Sequence, residues 1–387
     1  MVAWGPLPLL PTPTQCLVTR TTHEVSFSNN RFIAMSSKFR VAFIGLDNPH
    51  GAGWRDLLAN LQEEMEIVAI VPGYQGATAS LEEQYAGLPR FDEVQQLIDK
   101  ADFDGAIVCL PNDVGPATIV QLATAGKHVL AEKPVAGSAA DGQAIVEAVQ
   151  SAGISFQTGY NWRYDRGANR LKEMIDDGRF GKLISVEMNF VTSDVNRRGK
   201  SHYLFDKPTS TGGFFNWLAC HFLDLLLYVT GEDVVGVTAR TGVFGNTDVE
   251  VEDGGMAILD LANGALASFT GGYWIPRWAG ESHWCIRGSD RWVHWDPAAA
   301  GTGGVIQIHG PQPQWYAMEE TFTIPEDETP GYGGCNGVAL LRDWLETAQG
   351  KQDRCRNTVE SMQAVLQLID AIYQASQEER RISCQIG

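Results

Sequence analysis

From Lys38 onward the apolar positions follow two alternating rhythms. Short unbroken runs, "FRVAFIGL", "EIVAIV", "DGAIVCLPN", "KHVLAEKP" and "ISFQTGY", predict buried strands. Between them "GWRDLLANLQEE", "FDEVQQLID", "GPATIVQLATAG" and "SAADGQAIVEAVQSAG" carry apolar residues at helical spacing. Ser138 is placed to cap the last of these helices, and Gly153 to close it. Strands separated by helices of this length imply right-handed crossovers and a parallel sheet covered on both faces, an α/β doubly wound Rossmann arrangement. Ligands of such sheets bind beyond the carboxyl ends of the strands. Those ends carry Gly45, Val71-Pro72, Asn112, Glu132-Lys133-Pro134 and Tyr160-Asn161.

After about residue 180 the rhythm changes. "DDGRFGKLISVEMNF" reads as a turn feeding a long strand, and "NWLACHFLDLLLYVTG" as an apolar helix closed by Gly231. "DVVGVTAR", "GGMAILDLANGALASFTGGYW", "ESHWCIRGSDRWVHW" and "GVIQIHG" follow as strands, with hairpin turn chemistry in "LANGAL" and "RGSDRW". Two amphipathic helices near the C-terminus are expected to dock back on the fold. The second region is therefore α+β with a large, mostly antiparallel sheet. The expected division is an extension over 1–35, a dinucleotide-binding region over 36–158 and a substrate and oligomerisation region over 159–387.

Composition narrows the function classes. The 387 residues are 44% hydrophobic and 20% charged, which suits a globular chain of two domains. A formal net charge of −18 argues against nucleic acid as partner, since binding phosphates electrostatically needs lysine and arginine in excess. Seven scattered cysteines, with no C-x-x-C pair, fit a reducing compartment and offer no zinc spacing. No apolar run suggests a membrane span, and a cytoplasmic location is expected. Residues 1–35 have prolines breaking their apolar part and read as an extension ahead of the fold.

The first loop is unusual. Gly45 keeps the tight turn of G-x-G-x-x-G, but Asp47 and His50 stand where the second and third glycines belong. Gly45, Leu46, Asp47 and His50 are nonetheless candidates for dinucleotide contact, because a helix near Gly51 offers its amides to an anion. Asp47 would repel phosphate unless its side chain turns away or caps the helix. The second strand ends in Pro72-Gly73, without the acid that reads an adenosine ribose, so NAD and NADP both remain open.

The ordered motifs "LPN", "AGKHVLAEKP", "GYNWRY", "GRFGKLISVEM" and "TGGFFNWLACHFLDLLLYVTG" resemble the glucose-fructose oxidoreductase and inositol dehydrogenase family (Gfo/Idh/MocA), from about Lys38 to the C-terminus. The resemblance implies an NAD(P)-dependent oxidoreductase acting on a hydroxyl of a sugar, polyol or related small molecule, assembled as a homodimer or homotetramer. It implies that Lys133 and His221 are catalytic, and that Pro111, Asn112, Glu132 and Tyr160 border the cofactor. Arg163, Tyr164, His202, Tyr203, Asn216 and Trp217 are candidates for substrate contact. For Arg163 an ion pair is an equal alternative, and His221 taken alone reads as a core histidine. The family commonly has Asp four residues before the histidine, where this chain has Trp217. A non-catalytic sensor and an NAD-dependent glycosidase are the other readings.

Overall fold

The computed structural model describes residues 38–47, 51–73, 85–245, 248–297, 304–312 and 318–387, so the expectations for residues 1–35 and for His50 lie outside the described residues. The first region alternates β1 (Phe39–Ile44), α1 (Gly51–Ala59), β2 (Met65–Val71), α2 (Val94–Lys100), β3 (Gly105–Val108), α3 (Gly115–Thr124), β4 (His128–Ala131), α4 (Ala139–Ala152) and β5 (Phe156–Thr158). The strands form one parallel sheet in the order β2-β1-β3-β4-β5. Ser138 caps α4 by accepting from the Asp141 amide, and Gly153 ends it in the left-handed region, as expected. Helix α1 stops at Ala59, earlier than the apolar spacing suggests. There the Asn60 side chain donates to the carbonyls of Asp56 and Leu57, competing for last-turn acceptors.

Side chains alternate across the sheet. Ala42 and Ile44 of β1 enter a core shared with α3 and α4, while Val41 and Phe43 enter one shared with α1. The second core is completed from far along the chain. Helix α7 (Gly334–Ala348, numbered after α5 and α6 below) contributes Leu340, Leu341, Trp344 and Leu345. The Trp344 indole meets the Phe39 ring edge-on at 5.4 Å.

The second region begins with a single 3-10 turn, Asn161–Tyr164, and α5 (Arg166–Asp176). Its strands are β6 (Leu183–Ser193), β7 (Val234–Gly242), β8 (Gly254–Leu261), β9 (Leu266–Ile275), β10 (Gly280–Gly288), β11 (Trp292–Trp295), β12 (Gly304–His309), β13 (Glu320–Ile324) and β14 (Ile382–Ile386). Among the described residues they form a nine-stranded sheet in which only β6 and β9 pair in parallel. Its inner face packs on α6 (Cys220–Thr230) and α8 (Val359–Glu378). The segment Lys207–Thr230 is apolar and long enough to cross a membrane by length and composition, yet it is buried inside the fold. Trp284 and Trp295 are buried and meet edge-on, whereas Trp278 and Trp292 are exposed.

Trp344→Ala is expected to cost about 3–5 kcal/mol through cavity formation, read as a lower midpoint in urea unfolding. A loss under about 1 kcal/mol would mean α7 is not part of the core that the parallel sheet needs.

Candidate active site

The loop after β1 is shaped by close backbone approach. Gly45 has φ +76°, and a Cβ there would lie 2.2 Å from the Cys109 carbonyl oxygen, so no other residue fits this turn. Its amide donates to Val71 O at 2.8 Å, tying the loop to the end of β2. A Cβ on Gly51, the first residue of α1, would lie 2.6 Å from the Leu46 carbonyl oxygen, so the turn and the helix start approach closely, and free amides at a helix start are the kind of group that holds a phosphate. The Leu46 side chain is buried in the core with Trp54 and Leu57, so any cofactor contact from this residue falls to its backbone. Asp47 reaches the end of β2, where its Oδ1 accepts from the Gly73 amide at 2.6 Å.

The strand ends bring the polar groups together. Trp54, on the first turn of α1, donates its Nε1–H to Glu132 Oε2 at 2.6 Å. Glu132 Oε1 is 4.0 Å from Lys133 Nζ, and both side chains are buried. The Lys133 ammonium donates to Trp217 O at 2.8 Å, which reaches from the parallel sheet to the second region. The Lys133–Pro134 peptide is cis. Pro111 O accepts from the Val114 and Gly115 amides, closing the turn into α3. Asn112 Nδ2 donates to Ser210 O at 2.9 Å and to Thr211 Oγ1 at 3.2 Å, so this side chain holds a loop of the second region against the sheet edge.

His221 opens α6 directly after a π turn over Phe215–Ala219. A buried carboxylate anchors that turn: Glu252 accepts from the amides of Gly213 at 2.7 Å and Phe215 at 2.9 Å, and from the Tyr373 hydroxyl at 2.9 Å. His221 Nε2 lies 3.2 Å from Tyr332 Oη, and the Tyr160 ring stands edge-on to the imidazole at 6.0 Å. Burial pushes the Tyr332 phenol well up, and the charge of Glu132 adds to it. Burial likewise raises the Tyr160 phenol and the thiol of Cys220, the latter opposed by the Lys133 charge. Lys133, Glu132, Tyr160, Tyr332 and His221 therefore share one neighbourhood.

Tyr332 is the site residue that sequence reading missed. Its ring lies 5.3 Å from the Trp54 ring, and its amide donates to Gly53 O at 3.0 Å. A Cβ on Gly53 would meet Tyr332 Cβ at 3.1 Å, which accounts for a glycine on α1 that the phosphate fingerprint does not explain. The only signal in the sequence was a lone aromatic among glycines in "PGYGG".

The substrate candidates divide. Tyr203 meets Trp217 edge-on at 5.4 Å, and the nearby Glu132 charge adds to the burial that raises its phenol. The Trp217 indole points inward and donates to Ser210 O at 3.2 Å, filling space rather than presenting a face. Asn216 is buried and donates to Gly137 O at 3.3 Å, while His202 Nδ1 accepts from the Leu204 amide. Arg163 and Tyr164 are turned to other partners. Arg163 makes a buried fork with Asp224, with bonds of 2.7–3.1 Å, and donates to Arg356 O. Burial pushes the Asp224 carboxyl up and the guanidinium pulls it back, so the arginine is committed to neutralising a buried charge. The Tyr164 hydroxyl donates to Asp343 Oδ2 at 2.6 Å, on α7. Neither side chain is thereby available to a substrate beside His221.

Burial raises the Glu252 carboxyl from 4.5 to about 7. The folded state then holds a proton that the unfolded chain releases, so its stabilising share is full below about pH 4.5 and is lost as pH rises towards 7. Relative to Glu252→Gln, the wild type should lose on the order of 3 kcal/mol across that window, measured by urea unfolding at stepped pH. A parallel pH course for both proteins would refute the assignment.

Comparison with known proteins places this geometry. A model described as "Oxidoreductase family, NAD-binding Rossmann fold" matches residues 39–160, and one for the GFO/IDH/MocA C-terminal domain matches residues 168–294. Inositol 2-dehydrogenase of Rhizobium meliloti is 29% identical over 53% of this chain and 60% of its own length. Glucose-6-phosphate 3-dehydrogenase of Bacillus subtilis is 26% identical over 50% of this chain and 55% of its own. The chain thus spans about half to three-fifths of the length of these curated relatives. A structure of levoglucosan dehydrogenase in complex with NADH and L-sorbose superposes with a TM-score of 0.78 at 18% identity, over 90% of this chain and 99% of that one. Aldose-aldose oxidoreductase from Caulobacter crescentus, complexed with glycerol, gives 0.75 at 23% identity over 90% and 100%. With both family models matching in order along a parallel sheet and a large mixed sheet, the chain belongs to the Gfo/Idh/MocA family of oxidoreductases.

Proposed function

We propose that this protein is a nicotinamide-dependent oxidoreductase that moves hydride between the cofactor and the CH–OH carbon of a sugar, polyol or related small molecule. The observation that carries the reading is the meeting of Lys133, at the end of β4, with the π turn that leads into His221. Cofactor binding is assigned to 36–158 and substrate binding to 159–387. The Gly45 turn and the α1 amides would hold the phosphates, with Asn112 and Glu132 towards the ribose. When bound, the nicotinamide supplies the hydride chemistry.

The chain's own groups handle the proton. A carbonyl forms from an alcohol only as its O–H ionises, so a base must stand at that oxygen. Imidazole titrates near neutrality and suits this role. Tyr332 Oη lies 3.2 Å from His221 Nε2 and orients the ring; with Nε2–H donating to that oxygen, Nδ1 keeps the lone pair a base needs. Lys133, now bonded to a backbone carbonyl, has further N–H donors to offer the substrate oxygen. Tyr203 closes the same neighbourhood and supports exclusion of water.

Self-association completes the proposal. Met256, Ile258, Leu266 and Val305 are exposed on the outward face of the second sheet, an apolar surface suited to a second copy.

Purified protein given NAD⁺ or NADP⁺ and a panel of polyols and aldoses should generate reduced-nicotinamide absorbance. Lys133→Ala and His221→Ala should each lower kcat/KM by about 10²–10⁴. Absence of both dinucleotide binding and turnover would sink the reading. In solution the molecular mass, by light scattering, should be a multiple of the 42.3 kDa chain, and Ile258→Glu should shift it towards one chain. A strictly monomeric wild type would remove the self-association proposal.

A further inference from the structure

We infer that the outward face of the large sheet carries a second, non-catalytic site for a neutral carbohydrate ring, with the Trp274 indole as its floor. The inference goes beyond the proposed reaction, because this site lies across the sheet from α6 and His221. Side chains alternate along β9, and Phe269 and Tyr273 enter the core beside Phe214. Trp274 therefore stands on the opposite face. Met256 of β8 is exposed there, and Arg240 of β7 is its direct cross-strand partner.

The indole is held flat by its neighbours. Gly254 and Gly272 are paired across β8 and β9, and the ring lies against both. A Cβ on Gly272 would fall 2.1 Å from Trp274 Cε2, and one on Gly254 2.5 Å from Cζ2. Two facing glycines thus make a bed from which any side chain would lift the ring. The indole Nε1–H donates to Oδ1 of the fully buried Asp253 at 3.0 Å. The same carboxylate accepts from the amides of Phe244 at 2.9 Å and Gly245 at 2.7 Å, and the Phe244 ring stands edge-on to the indole at 6.1 Å. An aromatic fixed in this way loses little freedom when a ligand stacks on it.

The walls decide the class of ligand. Asp194, Arg240, Phe244 and Met256 line a cleft of about 590 Å³ with the indole, a size usual for small-molecule sites. A guanidinium only donates and a carboxylate only accepts, so an ion of either sign meets like charge at one wall. A hydroxyl both donates and accepts, and suits the two walls together. A plain hydrocarbon would strip water from both charges and return nothing. The C–H face of a pyranose supplies the apolar surface that the indole, Phe244 and Met256 match, and its hydroxyls supply the rest.

The test is direct binding to the full-length protein. Methyl β-glucopyranoside, methyl β-galactopyranoside and methyl α-mannopyranoside are titrated by calorimetry against wild type, Trp274→Ala, Trp274→Phe and Arg240→Ala, and the tightest binder is soaked into crystals. At least one should bind in the millimolar range with its ring against the indole. Trp274→Ala should weaken it at least about tenfold, Trp274→Phe should recover part of that loss, and Arg240→Ala should cost about threefold or more. No binding by any of the three, a ring found only beside His221, or an affinity unchanged in Trp274→Ala would overturn the inference. So would a fall in molecular mass for Trp274→Ala by light scattering with no glycoside bound, because the cleft would then belong to a second copy. Thermal unfolding separates a lost site from a lost fold, and Arg240→Ala, on an exposed side chain, keeps the test decisive if Trp274→Ala does not fold.

Discussion

A buried ammonium is the constraint around which this molecule is arranged. Lys133 leaves the parallel sheet at the end of β4 with its side chain almost wholly removed from water. Taking such a charge out of solvent costs several kcal/mol unless acceptors are supplied. The structure supplies Trp217 O from the second region, and the Glu132 carboxylate stands at 4.0 Å. The lysine's hydrogen bond thus ties the end of β4 to the π turn. Glu252 holds that turn from the strand side, through two amides and a phenol.

The same logic explains the charged residues that do not face a substrate. Asp224 is fully buried on α6, and an isolated carboxylate there would be untenable. Arg163 satisfies it with a two-nitrogen fork from the turn that leaves β5. The pair ties the turn after β5 to α6. Lys133 and the Arg163–Asp224 fork are thus both buried charges held by partners that the fold brings to them.

The long C-terminal return links these features. Helix α7 closes one face of the parallel sheet, and the segment just before it delivers Tyr332 to His221 Nε2. Its backbone docks on Gly53, whose lack of a side chain permits the approach. A departure from the phosphate fingerprint in the first loop and an aromatic some 280 residues later are thus one piece of construction. One turn before His221 this chain has the inward indole of Trp217, and the imidazole meets a phenol from far along the chain.

Local chemistry was enough to determine the parallel sheet, because buried strands and amphipathic helices write their periods into consecutive residues. Ser138 and Gly153 were legible for the same reason: a cap satisfies amides within its own turn. The Glu132-Lys133-Pro134 triplet was legible because a strand end is a place in the sequence as well as in space. Tyr332, the Arg163–Asp224 fork and the turn of Asp47 towards Gly73 were not. Each joins residues separated by 26 to 111 positions, and no periodicity records such a meeting. Only packing decides which donor reaches a buried acceptor, since a charge or phenol taken from water accepts whatever partner the fold brings within bonding distance.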